Sequence, residues 1–336
     1  RIVSNVWVTI AGTAETMAYT GVVIVGVFAI ANQSLTLGGL IACSILAGRV
    51  VAPLGTIAAL LTRLNAARTA YRQIDKFMNQ PVEGPSGKGI AISAMGGAIE
   101  FRDVDFRYPD APELALSKVS FRIEEGEHVG LIGPIGSGKS TIARLMIGLY
   151  PPTSGLILVD GSDIRQLSPS ALRSKVGALL QDNVLLTGSI RENIMLGRED
   201  LGDEEMLRAA KVTLAHDFIS RFPHGYDLSL ADRGESLSGG QRQSIAMTRA
   251  LVGKPPIIVM DEPTSSVDTD TERRLMENLR EEFAGRTLVL ITHRPSLLRM
   301  VDRIIMLANG KLVMDGTPEA IRNQVANIKS ASRDRN

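Results

Sequence analysis

The stretch GLIGPIGSGKST, residues 130–141, places four glycines and a lysine directly behind a short apolar run. That run, HVGLIG, is typical of a buried strand, and TIARLMIGLY, residues 141–150, predicts a helix after the loop. Between them, residues 133–140 follow the order Gly, four residues, Gly, Lys, Ser. Glycines in such a loop let a ligand approach the backbone closely, because they carry no side chain.

The chemistry of this loop favours a nucleoside triphosphate with Mg²⁺. Lys139 would offer a positive charge to the β and γ phosphates, and Ser140 a hydroxyl to Mg²⁺. The start of the following helix adds the positive end of its dipole. The alternative is a merely flexible glycine turn, and the strand before and the helix after the loop argue against it. The residues predicted to bind the nucleotide are Gly133, Pro134, Ile135, Gly136, Ser137, Gly138, Lys139, Ser140 and Thr141.

A second candidate cluster is the acidic pair in PIIVMDEPTSS, residues 256–266. An apolar strand ends there in Asp261 and Glu262, where a carboxylate beside a phosphate loop can reach Mg²⁺. Asp261 is therefore the candidate metal anchor, acting through water, and Glu262 is the candidate general base for an attacking water. Adjacent acids on a loop are commonly just solvated, so this interpretation depends on the phosphate loop.

Between the two clusters stands LSGGQRQ, residues 237–243, here named the signature segment. It closely resembles the signature of the ATP-binding cassette (ABC) family, and the resemblance covers residues 99–336. It implies an α/β P-loop NTPase fold, an ABC-type ATPase domain with an antiparallel β subdomain and a helical subdomain. It also implies that ATP is bound with Mg²⁺ and hydrolysed.

The same resemblance assigns roles to four further residues. Tyr108 in FRYPD would stack on adenine, and Gln181 in LLQD would contact Mg²⁺ and water. Asp268 ends SSVD, and His293 in LITHR would contact the γ-phosphate. With Glu262 and Lys139, the residues Gln181 and His293 form the predicted catalytic set. The metal set implied is Ser140, Gln181 and Asp261.

In the ABC family two cassettes face head to tail, which implies a homodimer. Each ATP would lie between the P-loop of one copy and the signature segment of the other. Ser238, Gly239, Gly240 and Gln241 would then bind the partner's nucleotide. The residue types agree, because a small, glycine-rich segment that opens a helix is a second anion site.

The first part of the chain differs in composition from the rest. Residues 17–31 and 40–61 are apolar enough to predict two membrane-spanning helices joined by NQSLTLGG, residues 32–39, in an all-α hairpin. Arg63, Arg68, Arg72 and Lys76 after the second stretch predict a cytoplasmic end that continues as a helix. The predicted domains are a partial transmembrane domain (1–80), a linker (81–98) and a nucleotide-binding domain (99–336). Since the chain starts at Arg1 without an initiator Met, we expect a fragment of a longer protein.

Spans ahead of a cassette resemble the exporter arrangement of the ABC family. The sequences of residues 35–68 and 160–182 most resemble those of type I secretion transporters of Gram-negative bacteria. That resemblance implies a multi-pass protein of the bacterial cytoplasmic (inner) membrane with its nucleotide-binding domain in the cytoplasm. It also implies a periplasmic adaptor (membrane fusion) protein, an outer-membrane channel and an exported polypeptide as partners.

Three alternatives stay open at this point: an ABC exporter of lipid, drug or peptide, a soluble ABC ATPase that acts on ribosomes or DNA, and a module that binds ATP without hydrolysing it. The net charge of +1 gives no broad basic face for a nucleic-acid partner. The single cysteine, Cys43, excludes a disulfide framework and a cysteine-rich metal site within this sequence.

Overall fold

The computed structural model of the chain describes residues 2–80, 95–109, 111–182, 184–198 and 200–324. The chain divides into two compact units, Arg1–Val82 and Glu83–Asn336. Most of the predicted linker, residues 81–94, lies outside the described residues. The boundaries predicted at 80/81 and 98/99 therefore stay predictions.

The first unit is a pair of long helices, α1 (Ile2–Ala31) and α2 (Leu37–Met78). The Thr36 hydroxyl caps α2 by accepting a hydrogen bond from the N–H of Gly39 at 3.2 Å. The two helices meet where Gly26 lies against the Leu40 side chain. Both stretches predicted to span a membrane are thus helical. Within the described residues, however, no helix has the combination of length and apolar character that a bilayer crossing requires.

The second unit contains a six-stranded sheet that is parallel except at one edge. Two of its strands, β9 (Ile257–Asp261) and β10 (Thr287–Ile291), are buried at every position, as expected for central parallel strands covered on both faces. From one edge to the other, the strands are β12 (Lys311–Gly316), β11 (Arg303–Ala308), β3 (His128–Ile132), β10 (Thr287–Ile291), β9 (Ile257–Asp261) and β6 (Val176–Leu179).

A four-stranded antiparallel sheet shares an apolar core with one face of the six-stranded sheet. Phe101 and Phe121 stack within this core with ring centroids 4.6 Å apart. Ile142, on the helix after the P-loop, belongs to the same core. The strands of this sheet, in spatial order, are β2 (Leu116–Ile123), β1 (Ile99–Phe106), β4 (Ser154–Val159) and β5 (Ser162–Asp163).

A helical part packs on the other side of the six-stranded sheet around a second core, which includes Leu179, Ile245 and Met260. Its central helix is α8, which begins directly after Ser238. The α-helices of the described part of this unit are α3 (Lys139–Met146), α4 (Pro169–Ser174), α5 (Ile190–Ile194), α6 (Asp203–Val212), α7 (Ala215–Ile219), α8 (Gly239–Leu251) and α9 (Thr269–Glu282), and two short strands, β7 (Gly188–Ser189) and β8 (Ser229–Leu230), pair with each other. The implied α/β fold with antiparallel and helical parts is confirmed.

The parallel strands bring the predicted site residues to the side of the sheet where these strands have their carboxyl ends, here named the sheet edge. The P-loop follows β3, Asp261 ends β9, Gln181 comes two residues after β6, and His293 comes two residues after β10. Parallel strands present their carboxyl ends at the same edge, which is where open α/β sheets bind ligands.

Gly177, within β6, allows a close approach between this strand and α8. A Cβ atom there would lie 2.0 Å from the carbonyl oxygen of Ala250 and 2.8 Å from a ring carbon of Pro255. We expect Gly177→Ala to lower the free energy of unfolding by about 1–3 kcal/mol, because the backbone of α8 must move away. Thermal unfolding of the purified chain measures the change. Gly202→Ala is the control, since no atom lies within 4 Å of its Cβ position. Equal effects of the two variants would contradict the prediction.

Candidate functional site

The phosphate loop of residues 133–140, the P-loop, turns sharply between β3 and α3. Glycine is required at two of its positions. Gly133 has φ 150°, and a Cβ there would lie 2.2 Å from the carbonyl oxygen of Leu307. Gly138 has φ 101° and directly precedes α3. The loop is therefore held against β11, and its backbone is open on the side of Gly136, where no atom lies within 4 Å of the Cβ position.

Lys139 places its ammonium group in the middle of this loop. Its Nζ donates hydrogen bonds to the carbonyl oxygens of Gly133 at 2.9 Å and Pro134 at 2.8 Å, and lies 3.4 Å from Oγ of Ser137. Ser137 is buried, whereas the Ile135 side chain is fully exposed at the tip. The loop thus presents a positive charge surrounded by backbone, as the sequence predicts for a phosphate site.

Asp261, at the end of β9, has the properties of a metal anchor. Its side chain is 4% exposed, and among the described residues its Oδ2 has no hydrogen-bond partner. Burial raises the pKa of this carboxyl, which the hydroxyl of Ser140 and the charge of Lys139 oppose. A buried carboxylate oxygen without a partner, beside a serine hydroxyl, fits a hard cation such as Mg²⁺.

A metal ion at this position would rely on few protein ligands. No group of three or more His, Cys, Asp or Glu side chains gathers in the described part of the chain. Mg²⁺ in nucleotide sites is commonly held by one or two protein oxygens, with water and phosphate oxygens as the other ligands. The predicted set of Ser140, Gln181 and Asp261 is compatible with that pattern.

Glu262 and His293 contact each other directly. Oε1 of Glu262 lies 2.7 Å from Nδ1 of His293, and Oγ1 of Thr292 lies 3.4 Å from Oε2. The backbone of Glu262 is in the left-handed region, with φ 51°, and its N–H donates to the carbonyl oxygen of Ile291 at 2.8 Å. This turn directs the carboxylate towards the loop after β10, so the predicted base and the predicted γ-phosphate contact form one pair.

The signature segment begins α8 through a reciprocal cap. Oγ of Ser238 accepts a hydrogen bond from the N–H of Gln241 at 3.2 Å, and the N–H of Ser238 donates to Oε1 of Gln241 at 2.9 Å. A Cβ on Gly240 would lie 2.9 Å from the carbonyl oxygen of Ser266. Ser238 and Gly239 are exposed and Gly240 is half-buried, so small residues form the accessible start of a helix of 13 residues.

Tyr108 lies beside the helix that follows the P-loop. Its hydroxyl is 3.1 Å from Oγ1 of Thr141, and Nη1 of Arg144 donates to that hydroxyl at 3.0 Å. This hydrogen bond is the main reason that the pKa of Arg144 is raised. The ring of Tyr108 also meets Tyr150 edge to face at 5.4 Å. The structure therefore places Tyr108 beside α3 and adds Arg144 as a neighbour that sequence reasoning missed, while stacking of Tyr108 on adenine stays a prediction.

Gln181 and Asp268 occupy two loops at the same sheet edge. Gln181 lines a groove with Glu235, Gly239 and Ser266. Asp268 caps α9, because its Oδ1 accepts hydrogen bonds from the N–H groups of Asp270 at 3.1 Å and Thr271 at 3.0 Å. The bonds with Thr271 are the main cause of the lowered pKa of Asp268. Asp268 thus has a clear local role besides any contact with nucleotide.

Comparison with known families agrees with this geometry. Residues 116–265 match the ABC transporter family. This segment of the chain is an ABC transporter domain.

The chain is also similar to individual ABC proteins. It is 40% identical over 292 residues to the leukotoxin translocation ATP-binding protein LktB of Mannheimia glucosida, an alignment that covers 87% of this chain and 41% of the relative. LktB of Bibersteinia trehalosi matches to the same extent. The chain therefore spans about two fifths of the length of these curated relatives. The solved structure of a bacterial Atm1-family ABC exporter with ATP bound is 31% identical, with a TM-score of 0.73, over 93% of this chain and 55% of that one.

Within the second unit, an ion pair supports the loop that carries His293. Glu272 of α9 has a side chain that is 8% exposed and pairs with Nη1 of Arg294, next to His293. The Ser296 hydroxyl donates to Oε1 of Glu272 at 2.5 Å. Burial by itself would raise the pKa of this carboxyl, but the bonds from Ser296 and Arg294 lower it below its ordinary value of 4.5. Sequence reasoning missed this pair, because nothing in the spacing of residues 272 and 294 predicts their contact.

The lowered pKa of Glu272 gives a pH-dependent contribution to stability. The ionised carboxylate contributes stability above pH 4.5 that is lost as the pH falls through the lower, folded-state pKa. We expect Glu272→Gln to lower the free energy of unfolding by about 1–3 kcal/mol near pH 7, because it leaves Arg294 without its carboxylate. The difference from the wild-type chain shrinks below pH 4.5, as denaturant unfolding at several pH values measures.

The matched control is Glu277→Gln on the same helix, whose side chain is exposed. It is expected to change stability by less than about 0.5 kcal/mol. The two pH values of about 7 and about 3 lie on either side of 4.5, the ordinary pKa of the carboxyl. If the difference in stability between Glu272→Gln and wild type stayed constant between them, the ion pair would not be its source.

Proposed function

We propose that this chain binds ATP with Mg²⁺ and hydrolyses it, as the nucleotide-binding part of an ABC exporter that works as a homodimer. One observation carries the proposal. Glu262 is held in a left-handed turn 2.7 Å from His293, at the sheet edge where the P-loop and the buried, unpaired oxygen of Asp261 also lie. A domain that only bound ATP would have no use for a carboxylate oriented in this way beside the phosphate loop.

The chain's own residues supply binding, orientation and proton transfer. The backbone of residues 133–138 and the ammonium group of Lys139 hold the β and γ phosphates, and Tyr108 stacks on the adenine. Ser140, Asp261 and Gln181 would hold Mg²⁺, which when bound neutralises charge on the β and γ phosphates. Asp261 is already desolvated, so its carboxylate needs no further loss of water to meet a cation.

Hydrolysis then needs a base and an orienting group. A water molecule attacks the γ-phosphorus, the bond from this phosphorus to the β–γ bridging oxygen breaks, and Glu262 accepts the proton of the water. His293 holds the carboxylate of Glu262 by the 2.7 Å contact. It would lie next to the γ-phosphate of a bound ATP. The products are ADP and inorganic phosphate.

Two copies would form the complete site. Gly239 and Gly240 present N–H groups at the start of α8, a helix long enough to carry a substantial dipole, while Ser238 and Gln241 cap this start and present their side chains beside it. In the head-to-tail arrangement these groups, with Asp268 nearby, bind the γ-phosphate of the partner's ATP. Hydrolysis splits ATP into ADP and inorganic phosphate, whose charges no longer bridge the two copies, so the dimer opens.

The cargo that we propose is a polypeptide, exported across the bacterial inner membrane by a type I secretion system. Support comes from the relatives named for leukotoxin translocation. The exporter relatives also favour association with the inner membrane. We propose that the whole transporter has a multi-pass membrane part and works with a periplasmic adaptor protein and an outer-membrane channel. Similarity to an Atm1-family exporter favours a second candidate, export of a different cargo. Loss of one secreted protein from the medium on deletion of the gene distinguishes the two.

Glu262→Gln tests the hydrolytic step. We expect ATP affinity within about twofold of the wild type and turnover lower by about a hundredfold or more, because a carboxamide cannot accept the proton. Phosphate release measures turnover, and a fluorescent ATP analogue measures binding. Glu281→Gln, an exposed carboxylate on α9, is the control and keeps wild-type turnover. Wild-type turnover by Glu262→Gln would remove Glu262 as the base.

A further inference from the structure

Gln243 is a buried amide on α8, which begins within the signature segment and is here named the signature helix. Gln243 lies one helical turn after the start of this helix. Its side chain is 1% exposed. Nε2 donates hydrogen bonds to the carbonyl oxygen of Glu262 at 2.8 Å and to Oγ of Ser265 at 3.2 Å. Oε1 accepts a hydrogen bond from the N–H of Ser266 at 3.1 Å. One side chain of the signature helix therefore holds the loop after β9 at three points.

The loop that Gln243 holds is strained. Glu262 is not glycine, yet its φ of 51° lies in the left-handed region, which costs about 1–2 kcal/mol for such a residue. A conformation of this kind persists only when neighbouring groups hold it. On one side, the N–H of Glu262 donates to the carbonyl oxygen of Ile291 at 2.8 Å. On the other side, the carbonyl oxygen of Glu262 accepts bonds from Gln243 and, within the turn, from the N–H of Ser265 at 3.2 Å.

The direction of the Glu262 side chain follows from this backbone turn. The left-handed conformation places Oε1 2.7 Å from Nδ1 of His293. If the turn relaxed to the ordinary region of φ, the Cα–Cβ bond would point elsewhere and the carboxylate would leave this position. A shift of about 1 Å in a group that acts on a bound reactant costs up to about a hundredfold in rate.

We propose that Gln243 is a positioning residue for Glu262, which ties the signature helix to the general base of the same chain. The proposal rests on the proposed function of Glu262. Gln243 does not touch the nucleotide, because it is buried between α8 and the loop after β9. It acts through the backbone of Glu262, and α8 thereby becomes part of the support of the base.

Gln243→Met tests this role in the full chain, because methionine has a similar length but cannot donate or accept these bonds. We expect kcat for ATP hydrolysis to fall by about tenfold to a hundredfold, while KM for ATP stays within about twofold. If the methionine variant does not fold, Gln243→Asn keeps an amide but withdraws it by one methylene group, and it is expected to lose turnover with the same unchanged KM. Wild-type kcat in a folded variant would overturn the proposal.

Thr248→Val is the matched control for a purely structural effect. Thr248 lies on the same helix and is 0% exposed, and its hydroxyl donates to the carbonyl oxygen of Ser244 at 2.7 Å and lies 2.6 Å from Oγ1 of Thr213. Its replacement removes buried hydrogen bonds far from the loop after β9. We expect Thr248→Val to lower Tm and to keep kcat within about twofold of the wild type. An equal loss of kcat in the two variants at matched Tm would show that Gln243 is only structural.

A double variant separates the inference from the proposed function. If Gln243 acts through Glu262, adding Gln243→Met to Glu262→Gln lowers the residual turnover no further. Multiplied losses would overturn the inference. Failure of the proposed function looks different, because Glu262→Gln alone would then keep wild-type turnover. Failure of the inference alone appears as an active Gln243→Met beside an inactive Glu262→Gln.

Discussion

Parallel pairing of β3, β10 and β9 is the constraint on which the rest of the second unit depends. Leu131, Ile291 and Asp261 lie side by side in register across these three strands. Neighbouring strands are about 4.8 Å apart, so the loops that leave them begin within about 10 Å of one another. The phosphate loop, the acidic pair and the loop of His293 meet because backbone hydrogen bonds fix this register.

The sheet edge also determines the electrostatics of the site. Asp261 ends a strand that is buried at every position, and its carboxylate is therefore desolvated and partly unpaired. Lys139 is held by carbonyl oxygens of its own loop and so keeps a positive charge close by. This pair of charges suits a metal ion bound together with phosphate. The carboxylate of Asp261 would attract the metal ion, and the ammonium group of Lys139 would attract the phosphate.

Three partly buried polar contacts hold the loops around this edge. Gln243 holds the turn at Glu262, Glu272 holds Arg294 beside His293, and Arg144 holds the hydroxyl of Tyr108. Each contact joins two segments that are far apart in sequence. Buried groups of this kind must be paired, since an unpaired buried donor or acceptor costs about 1–3 kcal/mol. The loops are thus stabilised in one arrangement by Gln243, Glu272 and Arg144, which lie outside the predicted nucleotide-binding set.

The sequence by itself determined the P-loop, the acidic pair, the signature segment and the ABC resemblance, because each of these is encoded by residues close together in the chain. The helices of residues 17–31 and 40–61 were also predicted correctly, whereas no helix among the described residues qualifies as a membrane span. The left-handed turn of Glu262 and the partners of Gln243, Glu272 and Arg144 became evident only in the tertiary structure. The physical reason is that these contacts join residues about 20 to 40 positions apart, and only the packing of α8, α9 and β1 against the sheet brings them within hydrogen-bond distance.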